Sequence, residues 1–288
     1  MRSNAKGRQD GFTMGGWHCT FLPYEDHSAI ASALRSALTA LGYALFDPFS
    51  MMPGRTYPLA VRLFVAPNAD GWTRVLGQLD DPPRKDVLTA LSDIAPVLYT
   101  GLQDERAFLF AYKNVQSVEV DTAFANYLRM GLTSDDLRQA LQEQPAPATI
   151  DKDVTAAALS TLPPNIEALS EARGVDRRQA AQLFERMSRG ALARSGAQGQ
   201  EAAARALVTG GAVNWSSASG RWLRRALEHL TIPTGWAQPD FISLRDAYQL
   251  HLRRQRRPNA PLYPGDAETM AAVENALEYL PVYAGKEA

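Results

Sequence analysis

Along the first half of this chain the apolar positions switch repeatedly between a period of two and a period of three to four, which predicts alternating strands and helices. Trp17–Leu22 is a short apolar run closed by Pro23 and reads as a strand. Behind Asp26, the residues Ile30, Leu34, Leu38 and Leu41 recur at i, i+4, i+8 and i+11. They form one stripe of a helix that Gly42 stops. Tyr43–Phe46 reads as a strand ended by Asp47 and Pro48. In Leu59–Ala66 both alternating sets are apolar except for Arg62, the pattern of a strand covered on both faces. The same order follows again, with strands at Trp72–Leu79, Val97–Leu102 and Arg106–Lys113 and a helix at Pro83–Leu91.

Two strand–helix–strand–strand units are therefore expected, opened by Gly16-Trp17 and Gly71-Trp72. They share the tetrapeptide Leu-Thr-Ala-Leu at 38–41 and 88–91. The fold class this predicts is α+β: one mainly antiparallel sheet backed by two helices, in a duplicated arrangement. Dropping one strand gives a ferredoxin-like order instead, although the aromatic stacking motif of RNA-binding members of that fold is missing. Helices are expected at Ala123–Met130 and Thr133–Leu141, the second opened by a capping box of Thr133 and Asp136.

Gln144 to Ala148 carries Pro145 and Pro147, a stiff extended segment that marks a linker at 144–152. Beyond it every periodic segment has the helical period. Phe184, Met187 and Ala191 make one stripe; Leu223, Ala226, Leu227 and Leu230 make another. A third runs through Phe241, Leu244, Tyr248 and His251/Leu252, and a fourth through Met270, Val273, Leu277 and Leu280. Pro233, Pro258 and Pro281 fall just past expected helix ends. The expected organisation is a disordered leader over 1–13, an α+β domain over 14–143, the linker, an all-helical domain over 153–283, and a tail over 284–288.

Charge changes the picture of the second half. Between Glu171 and Arg257 there are fifteen Arg and seven Asp+Glu, an excess of +8, in a chain of 288 residues whose formal net charge is −1. Residues 1–150 hold 13 basic and 16 acidic side chains. Such sorting speaks of association and not of fold. The strongest clusters are Arg221, Arg224 and Arg225 on one expected helix, and Arg253, Arg254, Arg256 and Arg257 at the end of another. The macrodipole favours cations at a helix C-terminus, but four in five residues exceeds what that effect needs. The acidic segment holding Asp266, Glu268, Glu274 and Glu278 offers an internal counter-surface.

The segment from Leu169 to Leu183 resembles the helix-turn-helix pattern of DNA-binding regulators. Gly174 stands at the turn, Asp176 at the cap of the second helix, and Arg177, Arg178 and Gln179 at its start. The resemblance implies that Arg177 and Arg178 contact DNA. Two positions depart from the pattern: Ser170, where a small Ala packs, and Arg173, at a position normally buried.

Candidate chemistry is sparse. The single cysteine, Cys19, excludes an internal disulfide and a cysteine-rich zinc site, and four scattered histidines supply no metal cluster. His18 and Cys19 adjoin on a strand and point to opposite faces, so they form no dyad. Tyr24 to His27, with Asp47, is the one cluster mixing acids and a histidine, and it reads as a helix cap. Phosphate-cradling glycine loops are missing. No catalytic residue, metal or cofactor is therefore expected, and no run approaches the ~20 apolar residues of a membrane span. With neither a secretory signal nor a disulfide framework, a cytoplasmic location is the expectation.

The functional expectation is a non-enzymatic binding protein whose arginine-rich helices meet an anionic partner, nucleic acid ahead of an acidic protein surface. The alternatives are a subunit of a larger assembly whose arginines dock a protein neighbour, and an enzyme with a small-molecule site between domains.

Overall fold

The structure is a computed structural model that describes residues 16–50, 57–79, 83–103, 106–145, 213, 215–263 and 265–287. Described residues of Trp17–Thr149 and Trp215–Ala288 form one compact unit. Its strands are β1 (Trp17–Leu22), β2 (Ala44–Leu45), β3 (Leu59–Val65), β4 (Thr73–Leu76), β5 (Val97–Gln103), β6 (Arg106–Lys113), β7 (Gln116–Val118) and β8 (Leu280–Lys286). Its helices are α1 (His27–Ala40), α2 (Arg84–Leu91), the single turn α3 (Val120–Ala123), α4 (Ser134–Gln142), α5 (Ala218–Glu228), α6 (Phe241–Arg256) and α7 (Asp266–Ala272). The eight strands form one sheet in the order β2-β8-β3-β4-β1-β5-β6-β7, and every pairing is antiparallel.

One face is covered by α1 and α2. Asp26 caps α1 by accepting from the Ser28 and Ala29 amides at 2.9 and 3.0 Å, which satisfies donors that the first turn leaves without partners. The stripe Ile30, Leu34 and Leu38 is fully buried, and it packs with Val87, Leu88 and Leu91 of α2 over Leu63, Val65, Val75, Val97 and Tyr99 of the sheet. Each such side chain contributes on the order of 2 kcal/mol relative to exposure. Gly42 takes φ +81 just past the helix, where a Cβ is disfavoured. Gly101 serves packing instead: a Cβ there would lie 2.5 Å from Cζ of Phe108, whose ring crosses the strand at that point.

On the opposite face, Phe64, Leu76 and Tyr283 meet Leu244 and Ala247 of α6 together with Val273, Ala276 and Tyr279. Farther along the sheet α5 packs against β5 and β6 and beside α4. Its buried side is Trp222, Leu223, Ala226 and Leu227.

Three expectations change. Residues 280–286, placed by periodicity at the end of a helix and in a tail, form β8 and pair with β3 along its whole length, from Leu59↔Lys286 to Val65↔Leu280. The expected stripe through Met270 and Leu280 divides into α7, a 3-10 turn (Ala276–Glu278) and that strand. Period-two burial in a strand buried on both faces leaves no polar position to betray it, so a helical reading fits the same residues. Second, Ala123–Met130 is not one helix: α3 ends at Ala123, a 3-10 turn spans Ala125–Tyr127, and the chain is extended at Leu128. Leu128 instead bridges to Leu230, and Arg129 donates to the Leu230 and Ile232 carbonyls at 2.9 and 3.3 Å. Third, the strand–helix–strand–strand order does recur, but the pairing does not. β1 takes the first strand after α2 as neighbour, whereas β4 takes the second strand after α1. The expected helices over 184–191 and the resembling segment 169–183 lie outside the described residues.

Candidate anionic-partner interface

The outer side of α5 presents Arg221, Arg224 and Arg225 together. Ser217 caps the helix by accepting from the Gly220 amide at 3.0 Å. With its apolar stripe held against the sheet, positions i, i+3 and i+4 from Arg221 turn outward, and all three arginines are exposed. Arg221 reaches back to the Ser216 carbonyl. Arg224 places its guanidinium carbon 5.8 Å from the centre of the Trp215 ring. Arg225 pairs with Glu143 just past the end of α4 at 2.8 Å, with the two side chains 59% and 48% exposed. At that exposure the pair is worth about 0–1 kcal/mol, and an incoming anion competes for the guanidinium on nearly equal terms.

The second arginine cluster has a different environment. Arg253 donates to the Pro261 carbonyl at 2.7 Å and pairs with Asp266 at 3.2 Å, and it lies 5.4 Å from the Tyr263 ring centre. Arg254 donates to the Ala260 carbonyl at 3.2 Å, and Arg256 to the Phe49 carbonyl at 2.5 Å. These three guanidiniums fasten the loop after α6 and the segment around Phe49; Arg257 is exposed beyond them. Because α5 lies over β5 and β6 while α6 packs around Phe64 and Tyr283, the order β8-β3-β4-β1-β5-β6 sets the clusters several strands apart. At about 4.8 Å per strand they are two separate surfaces. Arg177 and Arg178 lie outside the described residues.

The structure adds Trp215 to this side of the molecule. It packs with Trp17 and Trp236 at ring-centre distances of 5.2 and 5.3 Å, and those two are 5.1 Å apart. All three contacts are edge-to-face, with interplanar angles of 72°, 78° and 62°. Trp17 and Trp236 are buried, whereas Trp215 is half-buried and is the member that meets Arg224. Its place just before the Arg221 helix was visible in the sequence, but its partner Trp17 is some two hundred residues away along the chain.

Other candidate groups have local explanations. Asp26 caps α1, and Asp47 accepts from the Phe49 amide at 2.8 Å. Tyr24, Glu25 and Asp26 line an open cavity of about 510 Å³ whose other acid is Asp70, with Trp72, Tyr127 and Thr231 on its walls. The Trp72 indole donates to the Thr231 hydroxyl at 3.3 Å. Burial pushes the Cys19 thiol up to about 12, with Arg74 opposing. Burial, and then Arg84, lowers His18 to about 4, while its Nδ1 lies 3.2 Å from the Tyr99 hydroxyl. His251 joins α6 to α7 through the Met270 and Val273 carbonyls at 3.2 and 3.1 Å. Among the described residues no group of three or more His, Cys, Asp and Glu is placed to hold a metal ion, and no helix is long and apolar enough to cross a membrane.

No protein-family model, curated protein or solved structure matches this chain.

Proposed function

We propose that this chain is a non-enzymatic binding protein and that the outer side of α5 engages an anionic partner, nucleic acid ahead of an acidic protein surface. The observation that carries the reading is the exposure of Arg221, Arg224 and Arg225 side by side on one helix whose other side is buried. A helix so anchored presents its cations without having to be ordered on binding, and guanidinium groups match phosphate oxygens in geometry as well as charge. Among the described residues, Arg225 alone of these three pairs with a carboxylate, and that pair is solvent-exposed. The α6 cluster supports the reading less, because Arg253, Arg254 and Arg256 are engaged with the chain's own carbonyls.

Electrophoretic shifts at low salt test it, comparing the full chain with a variant carrying both Arg224→Glu and Arg225→Glu. The native protein is expected to retard DNA and RNA of unrelated sequence, since phosphate contacts carry no base information. The double variant is expected to lose most of that binding. Retardation by both proteins alike would move the interface elsewhere. A native protein without affinity for either polymer would leave docking to an acidic protein neighbour, for which the Arg225–Glu143 pair supplies the pattern.

A further inference from the structure

We propose that Trp215 is a stacking platform for an unpaired base, so that the partner of the α5 side is single-stranded nucleic acid and not a duplex; this rests on the arginine reading above. Three observations point there. Of the three clustered tryptophans, Trp215 alone keeps exposed surface, while Trp17 and Trp236 are 5% and 8% exposed. Those two hold its indole edge-to-face from the protein side, at 5.2 and 5.3 Å, so the ring is rigidly placed before any ligand arrives. Arg224 lies 5.8 Å from the same ring and has no carboxylate partner among the described residues. A cation and an aromatic surface are thus offered at one point, with Arg221 on the next turn. A nucleotide needs that pair of contacts, one for its phosphate and one for its base.

The geometry also separates strand types. In a duplex each base is sandwiched by its neighbours, so an indole on the surface meets only the backbone and adds nothing beyond charge. In a single strand the base can be turned out onto the ring, and the contact is tolerant of sequence because every base has a π-face. A structural role alone accounts for Trp17 and Trp236. It does not account for a large indole left half-open beneath a guanidinium.

The test is a titration of the full chain, followed by tryptophan fluorescence, with an oligothymidylate of about 15 nucleotides and with a duplex of equal length. Native protein, Trp215→Leu, Trp215→Phe and the Arg224→Glu/Arg225→Glu double variant are compared at one salt concentration. The single strand is expected to bind native protein more tightly than the duplex and to quench its emission. Trp215→Leu is expected to weaken single-strand binding about tenfold and to leave duplex binding within about twofold. Trp215→Phe, which restores a ring, is expected to bind within about threefold of native while losing the quench. Equal binding of single strand by native and Trp215→Leu would overturn the proposal, as would equal losses on strand and duplex. Should Trp215→Leu fail to fold, a quench that persists in Trp215→Phe overturns it. If salt-sensitive binding is lost in the arginine double variant but single strand and duplex bind native protein alike, the stacking proposal falls and the arginine reading stands. If native protein binds neither polymer, the stacking proposal falls, and of the arginine reading only docking to an acidic protein neighbour remains.

Discussion

The indole N–H of Trp222 donates to the Ala140 carbonyl at 2.9 Å. Ala140 sits in the last turn of α4, where carbonyls have no partner within the helix. The bond therefore satisfies an orphan acceptor and sets how α5 leans on α4, and with it where Arg221, Arg224 and Arg225 face. Trp222 is 5% exposed. Trp222→Phe is expected to lower the unfolding free energy by about 1–3 kcal/mol, the cost of a buried acceptor left unpaired. Urea denaturation reads this directly, and an unchanged midpoint would mean that the carbonyl is satisfied another way.

The last strand is expected to carry global stability and not that of a tail. β8 lies between β2 and β3, with Val282 in one core and Tyr283 in the other. Val282→Asp would bury a carboxylate without a partner, so the chain is expected to lose its cooperative unfolding transition altogether. A melting curve with the native midpoint would show that the sheet closes without β8.

How far the sequence could be read follows from which residues carry the signal. Local periodicity located β1, α1, β3, α2, β5 and β6, because all but β6 have a Pro, Gly or capping residue at a boundary, such as Pro23, Asp26 or Gly42. It also identified α5 and α6, whose apolar stripes are one-sided. It missed β8, since Val282 and Ala284 are buried on one face, with Leu280 partly buried beside them, and Tyr283 on the other. It offered Asp266 as a counter-charge, and Asp266 pairs with Arg253 at 3.2 Å, but it could not place the other contacts of Arg253, Arg254 and Arg256, which go to main-chain carbonyls, Phe49 among them, that have no side-chain signature. The exposure of the α5 arginines was legible in their i, i+3, i+4 spacing; the support of Trp215 by Trp17 was not, being a long-range contact.

Acidification is expected to weaken the fold between pH 6.5 and 4 through His18. Its folded value is lowered from 6.5 to about 4 by burial and then by Arg84. In that window the unfolded chain takes up a proton that the folded one refuses, so stability is complete above about 6.5 and falls as the pH drops towards 4. The loss amounts to about 3 kcal/mol at most. His18→Gln, which titrates nowhere in this range, is expected to flatten the difference between unfolding free energies measured at pH 7 and pH 5. Equal pH dependence in both proteins would place the sensitivity in other groups.

Cys19 is expected to be inert in the folded protein. The thiol is 1% exposed, and burial holds it up to about 12, so almost no thiolate forms at neutral pH. A chromogenic disulfide reagent at pH 8 should label one thiol per chain in denaturant and nearly none without it. Rapid labelling of native protein would mean that β1 opens readily.

The most direct measurement is the salt dependence of binding to a single-stranded oligonucleotide by native protein and by the Arg224→Glu/Arg225→Glu variant. A plot of log affinity against log salt is expected to be linear and steep for the native chain. For the variant it should be shallower by about 1.4, two phosphate contacts at roughly 0.7 each. Superimposable lines, or native binding indifferent to salt, would contradict an interface built on the outer side of α5.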